Sequence, residues 1–225
     1  MQSRLRNLTY AGLLGLLLIV HAGAAISAVF NVTVDSTALS GSPGILVFDF
    51  IDGGPPDNSV ILSAIVSDGT QGATSTTPDV TGTGPWQFTD AGGWFFYELQ
   101  LPFNPIGSFF KYSFITTDNP PDPGSFPDSF SFFILDAGGV NPLIATDAPD
   151  GANTLFQFSL GQGEQGLVVY TPVPVQEGFS IAVIPQPSVV PEPGTLALFV
   201  VGIMALSARR HSKRYVLRPL PKRIK

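Results

Sequence analysis

The sequence lacks cysteine, and its two histidines, His21 and His211, lie near its ends. The absence of cysteine excludes a disulfide scaffold, a thiol nucleophile and thiolate metal ligands. Between Val29 and Val190 there is also no histidine or arginine, and Lys111 is the only base. This stretch therefore lacks a Ser-His-Asp triad, an imidazole zinc site and a guanidinium clamp for phosphate, and we predict that it is not an enzyme. Glycoside hydrolysis by two carboxylates stays open, although no spacing of acids selects a pair.

Charge is distributed very unevenly along the chain. The formal net charge is −6, but the stretch from Val29 to Val190 holds 16 acids against one Lys, and eight of the 11 bases lie between Arg209 and Lys225. A domain this acidic repels phosphate, which excludes nucleic acid as a partner. Bases confined to the two ends indicate membrane topology and export.

The N-terminus has the order of regions found in a secretory signal peptide. Arg4 and Arg6 precede an apolar run over residues 11–20, and small residues follow it. A run of about ten residues is too short to span a membrane, which takes roughly 20. We predict a signal peptide over residues 1–28 with cleavage after Ala28, because Val29 begins a strand-like pattern. Cleavage after Ala25 is the alternative.

The C-terminus combines a stiff linker, a short apolar helix and a basic tail. Four prolines between positions 185 and 193 predict an extended linker over residues 185–194. The uncharged run 195–208 would cover about 21 Å as a helix, which is short for a hydrocarbon core of roughly 30 Å. By the positive-inside rule, the basic tail 209–225 is expected in the cytoplasm, with the acidic domain across the membrane.

This ordered C-terminus resembles the PEP-CTERM sorting signal of exported proteins in Gram-negative bacteria. The Pro-Glu-Pro motif falls on Pro191, Glu192 and Pro193, and the basic stop after the helix falls on Arg209 and Arg210. The resemblance implies recognition by an exosortase, transient anchoring in the inner membrane, cleavage near the motif and release to the cell surface or extracellular matrix. One departure is the tail, which is longer than is usual for this signal.

The middle of the chain resembles a family of mature domains found on PEP-CTERM proteins. The similar blocks are residues 32–41, residues 46–50 and residues 130–136, with Asp147 and the Asp150-Gly151 turn. The resemblance implies no biochemical activity and supplies no catalytic residues.

Short runs of alternating apolar and polar residues, bounded by Gly, Pro, Asn and Asp, predict an all-β domain over residues 29–184. The predicted strands span residues 29–35, 44–51, 60–67, 94–101, 109–116, 129–136, 154–160, 166–171 and 179–184. Nine short strands with turn-rich connections favour an antiparallel two-sheet β-sandwich, jelly-roll-like in type. Residues 70–84 are predicted to form a long surface loop or a weak edge strand, and residues 119–126 a rigid loop.

Two binding sites are candidates. Asp147, Asp150 and Asn153 surround Gly151 and offer oxygens to calcium, although Asp in turns also serves as an ordinary capping residue. Looser acidic groups are Asp118, Asp122 and Asp128, and Asp52, Asp57 and Asn58. Apart from calcium, no cofactor is expected.

Trp86 and Trp94 are candidates for stacking on sugar rings. They belong to the densest aromatic cluster, in which alternation along a strand would place Trp94 and Phe96 on one face and Phe95 and Tyr97 on the other. Core packing is the alternative for such residues. The sequence thus predicts a non-enzymatic structural or adhesive surface protein, or else a surface module that binds exopolysaccharide or calcium.

Overall fold

The computed structural model describes residues 27–186 except 118, 150 and 152. The predicted signal peptide, sorting motif, apolar helix and basic tail therefore lie outside the described residues, except that residues 27 and 28 are included. Within the described part of the chain, the helices are too short or too polar to cross a membrane.

The described residues form two antiparallel sheets. The strands of the first sheet are β1 (Ser27–Asp35), β3 (Ser59–Leu62), β4 (Val66–Ser67), β6 (Thr81–Gly82), β7 (Trp86–Thr89), β9 (Phe109–Thr117) and β13 (Ser180–Gln186). Those of the second are β2 (Gly44–Ile51), β5 (Ser75–Thr76), β8 (Phe96–Phe103), β10 (Ser129–Asp136), β11 (Phe156–Ser159) and β12 (Leu167–Val169). Single 3-10 turns span Thr37–Leu39, Asp90–Gly92 and Gly163–Gly166.

The strand order shows that the chain crosses repeatedly between the sheets. The first sheet has the order β13-β1-β9-β3-β7-β6, with β4 also paired to β9, and the second has the order β12-β11-β10-β2-β8-β5. Most of the long strands are therefore followed by a strand in the opposite sheet. The predicted all-β, two-sheet antiparallel sandwich is confirmed.

Alternation of side chains explains which face of each strand is buried. In β9, Phe110, Tyr112 and Phe114 point into the sandwich and are buried, whereas Lys111 is exposed on the outer face. In β2, Leu46, Phe48 and Phe50 are fully buried on the inner face, and Ile45 and Val47 on the opposite face are buried too. Successive strand residues point to opposite faces, so each run contributes every second side chain to one core.

Aromatic rings fill that core and bridge the two sheets. Phe114 of β9 lies with its ring centroid 4.8 Å from Phe30 of β1, in its own sheet. The Phe114 ring also stacks at 5.5 Å on Phe156 and lies 5.2 Å from Phe130, both in the opposite sheet. Each such ring removes a large apolar surface from water and adds ring-to-ring contacts.

Several predicted strand bounds need correction. Strands β2 and β10 match the prediction to the residue, but the predicted strand 60–67 is interrupted and forms β3 and β4. The predicted strand 94–101 begins at Phe96, because Gly93, at φ +76°, turns the chain before it. Strand β7, Trp86–Thr89, was not predicted, since four residues carry too little alternation to be recognised.

The edges of the domain also differ from the predicted boundaries. Strand β1 begins at Ser27, so cleavage after Ala28 would remove its first two residues, whereas cleavage after Ala25 would keep it whole. Strand β13 continues to Gln186, two residues into the predicted linker, with Pro185 paired to Phe30.

We expect Phe114→Ala to reduce the free energy of unfolding by about 3–5 kcal/mol, because it leaves a cavity among rings of both sheets. Chemical denaturation of the full-length chain, followed by tryptophan fluorescence, would measure this loss. The control is Phe95→Ala, because Phe95 is 75 % exposed and its removal should change stability by no more than about 0.5 kcal/mol. Equal losses for the two variants would contradict the bridging role of Phe114.

Candidate functional site

Three carboxylates from separate parts of the chain converge at one end of the sandwich, which we call the acidic end. Asp52 directly follows β2, Asp90 directly follows β7, and Asp128 directly precedes β10. One carboxylate oxygen from each of the three lies within 4.8 Å of the other two. Both sheets contribute, since β7 belongs to the first sheet and β2 and β10 to the second.

Asp90 is the most unusual of the three. Its side chain is only 6 % exposed. Oδ2 accepts a hydrogen bond from the backbone N–H of Asn58 at 2.7 Å, whereas the buried Oδ1 accepts none. A buried carboxylate oxygen without a donor is costly, and such a group calls for an explanation.

Asp128 is held by donors from the neighbouring loop. Its Oδ1 accepts the backbone N–H of Gly53 at 2.7 Å, and its Oδ2 accepts the side-chain amide of Asn58 at 2.8 Å. Asn58 is itself fixed, because its Oδ1 accepts the hydroxyl of Thr117 at 2.9 Å and the backbone N–H of Asn119 at 3.0 Å. The side chain of Asn58 thus ties the start of β3 and the end of β9 to Asp128.

Gly53 allows the loops of the acidic end to approach each other. A Cβ atom at this position would collide with the carbonyl oxygen of Phe126. The backbone N–H of Phe126 donates to the carbonyl of Gly53 at 3.1 Å, and Asp52 Oδ1 accepts the backbone N–H of Gly54 at 2.6 Å. Asp52 is consequently anchored within its own loop and next to the loop that carries Asp128.

The acidic end is strongly anionic. Burial raises the pKa of the Asp90 carboxyl, and the negative charges of Asp128 and Asp57 raise it further. Burial likewise raises the pKa of Asp128, although the donors from Gly53 and Asn58 act in the opposite direction. Burial therefore disfavours both anions, although Asp128 is partly compensated by its two donors and by a side-chain hydrogen bond with Asp90.

No base among the described residues is placed to neutralise these carboxylates. Lys111 is the only base among the described residues. It lies in the middle of β9, six positions before Thr117, which corresponds to about 20 Å along the strand. Its amino group instead lies 5.5 Å from the centroid of the Phe109 ring.

The side chain of Tyr97 lies close to the acidic end, since its ring is 5.7 Å from that of Phe50, two residues before Asp52. Burial raises the pKa of Tyr97, a backbone hydrogen bond from Trp94 lowers it, and the charges of Asp52, Asp90 and Asp79 raise it further. The side chain is fully buried, and its oxygen has no hydrogen-bond partner of standard geometry.

The calcium candidates from the sequence lie elsewhere and serve as turn residues. Asp147 Oδ1 accepts the backbone N–H of Thr171 at 2.7 Å. Asn153, at φ +57°, accepts the N–H of Thr146 at 3.1 Å and donates to the carbonyl of Gly151 at 3.0 Å. Asp150 lies outside the described residues. Calcium binding at this loop stays a prediction.

The two tryptophans have different environments. Trp86 is 2 % exposed and belongs to the core, so the prediction that it forms a surface platform is wrong. Trp94 is 60 % exposed and Phe95 75 %, and the two precede β8 rather than alternating within it. Phe126 is 78 % exposed on the loop before β10. We call Trp94, Phe95 and Phe126 the aromatic rim.

The aromatic rim adjoins the three carboxylates. The backbone N–H of Asp52 donates to the carbonyl of Phe95 at 3.1 Å, and Phe126 is hydrogen-bonded to Gly53, as described above. Two rim residues therefore flank the loop that begins at Asp52. Exposed aromatic residues gathered in one place commonly mark an interaction surface.

A groove of about 380 Å³ lies on the outer face of the second sheet. Asp49 of β2 lines it together with Ser129, Ser131, Asn153 and Gln157. Asp49 is half-buried, its Oδ1 has no hydrogen-bond partner, and its cross-strand neighbour in β8 is Glu98. Burial, followed by the charge of Glu98, raises the pKa of Asp49 to about 7.

Sequence reasoning found two of the three converging acids, but in different groups, and it missed Asp90. One signal was available, because each of the three Asp residues directly adjoins a strand end. For Asp90, that signal depends on β7, which was not predicted.

We expect Asp49→Asn to be more stable than the wild type at pH 8, because the variant has no carboxylate to bury. The difference in free energy of unfolding between variant and wild type should be more favourable at pH 8 than at pH 4 by an amount on the order of 1 kcal/mol. The pKa of Asp49 rises from 3.8 when unfolded to about 7 when folded, so its stabilising contribution is complete below pH 4 and is lost as the pH rises through 7. Melting temperatures of full-length wild type and variant across this range would test the sign.

Asp68→Asn is the control of opposite sign. Asp68 accepts the N–H and hydroxyl of Ser108, each at 2.7 Å, and its pKa is lowered. Its contribution is present above pH 4 and is lost on acidification, so this variant should be destabilised at neutral pH. If the stability of the two variants, relative to wild type, changed with pH in the same direction, at least one of the two pKa shifts would be contradicted.

Comparison with known proteins identifies one segment of the chain. A family model described as the PEP-CTERM protein-sorting motif matches residues 189–211, which include the predicted Pro191, Glu192, Pro193, Arg209 and Arg210. No curated protein and no solved structure matches the chain. The chain thus carries a PEP-CTERM sorting motif, which indicates export, recognition by an exosortase and surface association in a Gram-negative bacterium.

Proposed function

We propose that the chain is an exosortase-processed surface protein whose β-sandwich is a non-enzymatic structural or adhesive component of the cell surface or extracellular matrix. The observation that carries this proposal is the position of the sorting motif. The match begins at residue 189, directly after a domain whose last strand ends at Gln186. During transit, residues 195–208 anchor the chain in the inner membrane, with the tail 209–225 on the cytoplasmic side.

The physical character of the domain suits a protein that endures outside the cell. Its interior is filled by interlocked aromatic rings, which need no disulfide to hold two sheets together. Its surface is strongly anionic, with one Lys against many acids. A high net charge of one sign keeps a protein soluble and limits non-specific association.

A second function, recognition of surface polysaccharide, is favoured by the aromatic rim. Trp94, Phe95 and Phe126 are all more than half exposed and lie on adjoining loops. Flat apolar rings suit the C–H faces of sugar rings, and binding residues are often carried on loops held by a rigid scaffold. In this role the domain would adhere to exopolysaccharide without cleaving it.

Substitution of Pro191, Glu192 and Pro193 by alanine should leave the protein in the inner membrane at a larger apparent mass, because the exosortase would no longer recognise it. Fractionation and immunoblotting with an antibody to the β-domain would show this in the native bacterium. Pro187→Ala is the matched control, since it changes a linker proline outside residues 189–211. Normal size and location for the triple variant would refute processing at this motif.

Trp94→Ala should weaken binding of the full-length chain to an exopolysaccharide that it recognises by about tenfold or more, since stacking aromatic residues contribute on the order of 1–3 kcal/mol each. The readout is fluorescence across a panel of bacterial exopolysaccharides. Trp86, the only other tryptophan, is buried and gives a constant background. Trp94→Tyr should retain binding. A wild-type chain with no response to any polysaccharide, or with a response only to lipid vesicles, would count against this function.

A further inference from the structure

The acidic end presents an electrostatic problem that the described residues do not solve. Asp90 and Asp128 are almost fully buried, at 6 % and 2 % exposed, and Asp52 lies beside them. Their carboxylates come from three separate loops, yet they meet within 4.8 Å, and the nearest base is far along β9. Like charges this close repel strongly when removed from water, so a positive species must offset them.

Two buried oxygens at this place have no hydrogen-bond partner of standard geometry. Asp90 Oδ1 accepts no hydrogen bond, although Oδ2 of the same carboxylate is well bonded. The hydroxyl of Tyr97, whose ring lies 5.7 Å from that of Phe50 near the end of β2, is also without a partner of standard geometry. These orphaned oxygens are an observation separate from the clustering of acids, and they point to a group that would bind them.

We propose that Asp52, Asp90 and Asp128 form a binding site for Ca²⁺. In this arrangement Asp90 Oδ1 takes the ion directly, while Oδ2 keeps its bond to Asn58. Asp52 likewise uses one oxygen on a loop donor, the N–H of Gly54. Both oxygens of Asp128 accept a donor, from Gly53 and Asn58, and each retains a second lone pair for the ion. The hydrogen bonds to the loops thus hold the carboxylates in place for coordination.

Calcium is favoured by the chemistry of the donors. The available ligands are oxygens, with no histidine or cysteine in the stretch from Val29 to Val190, which disfavours zinc and copper. Calcium accepts six to eight oxygens in irregular geometry, so carbonyls and water can complete its shell, whereas Mg²⁺ demands a near-octahedral site. Extracellular calcium modules bind with Kd of about 10⁻⁴–10⁻³ M, and the domain is exported to that compartment.

A bound ion would organise the aromatic rim. Asp52 is hydrogen-bonded to the backbone of Phe95, and Gly53 to that of Phe126. Linking Asp52 to Asp128 and Asp90 would therefore fix the loops that carry the rim. The calcium site rests on its own geometry, however, and does not require that the rim bind sugar.

The test uses the full-length chain in detergent, stripped with EDTA and then freed of chelator. Titration calorimetry with Ca²⁺ should give one site with a Kd of about 10⁻⁴–10⁻³ M, and saturating Ca²⁺ should raise the melting temperature. Tb³⁺, used as a probe in place of Ca²⁺, should show luminescence sensitised by Tyr97 that excess Ca²⁺ displaces. Mg²⁺ at the same concentration should produce a smaller thermal shift.

Variants assign the site to residues. Asp90→Asn and Asp52→Asn keep an oxygen for the loop donors but remove a charge, and each should weaken Ca²⁺ binding by at least about tenfold. Asp147→Asn is the control, because Asp147 lies in the other candidate calcium loop. If Asp90→Asn fails to fold, Asp52→Asn still tests the site, because Asp52 is partly exposed and its substitution should be tolerated.

Three results would overturn the proposal. One is the absence of heat, thermal shift and Tb³⁺ luminescence up to about 10 mM Ca²⁺, well above the expected Kd; protons alone would then neutralise the cluster. A second is loss of binding in Asp147→Asn but not in Asp52→Asn or Asp90→Asn. A third is an equal response to Mg²⁺, which would indicate general charge screening. None of these results bears on exosortase processing, which is measured by fractionation.

Discussion

The structure depends first on ring packing between its two sheets. Phe114 contacts Phe30 in its own sheet and Phe130 and Phe156 in the opposite one, so its ring links the two layers. The rings of Phe50, Phe88 and Phe130, near the ends of β2, β7 and β10, also pack on one another and hold these three strand ends together. The Asp residues directly beyond those strand ends are consequently forced together, although each one alone would be more stable in water.

At the acidic end, the preference of each carboxylate for water conflicts with the position that the fold imposes on it. Asn58 relieves part of the conflict, since its amide and backbone donate to Asp128 and Asp90. It cannot relieve all of it, because Asp90 Oδ1 still accepts nothing. Conflicts of this kind commonly occur at functional sites, where the fold holds groups in an arrangement that a ligand completes. The outer face of the second sheet shows a milder case, in which Asp49 lies opposite Glu98.

Much of the fold, but little of the site, can be predicted from the sequence. The bounds of β2 and β10 could be predicted because each is a short apolar run, continuous in β2 and alternating in its burial in β10, and such a pattern is a local property. The meeting of Asp52, Asp90 and Asp128 is not local, since it depends on strand order and on the four-residue β7. Trp86 and Trp94 cannot be distinguished from the sequence alone. Trp86 is buried because it begins β7, whereas Trp94 is exposed because it lies in the turn before β8. The sorting motif could be recognised from the sequence because its parts occur in a fixed linear order.

The uneven distribution of charge links the export of the protein to the proposed cation binding at its acidic end. Ten of the 11 bases lie before residue 29 or after residue 190, in segments of the kind that direct or stop export. Removal of those segments would leave an acidic domain with Lys111 as its only base, and that residue lies about 20 Å along β9 from the acidic end. The domain cannot neutralise its own buried carboxylates from within. The neutralising charge must come from the medium, as a proton or a cation, so the state of the aromatic rim would follow the composition of the extracellular environment rather than that of the cell that made it.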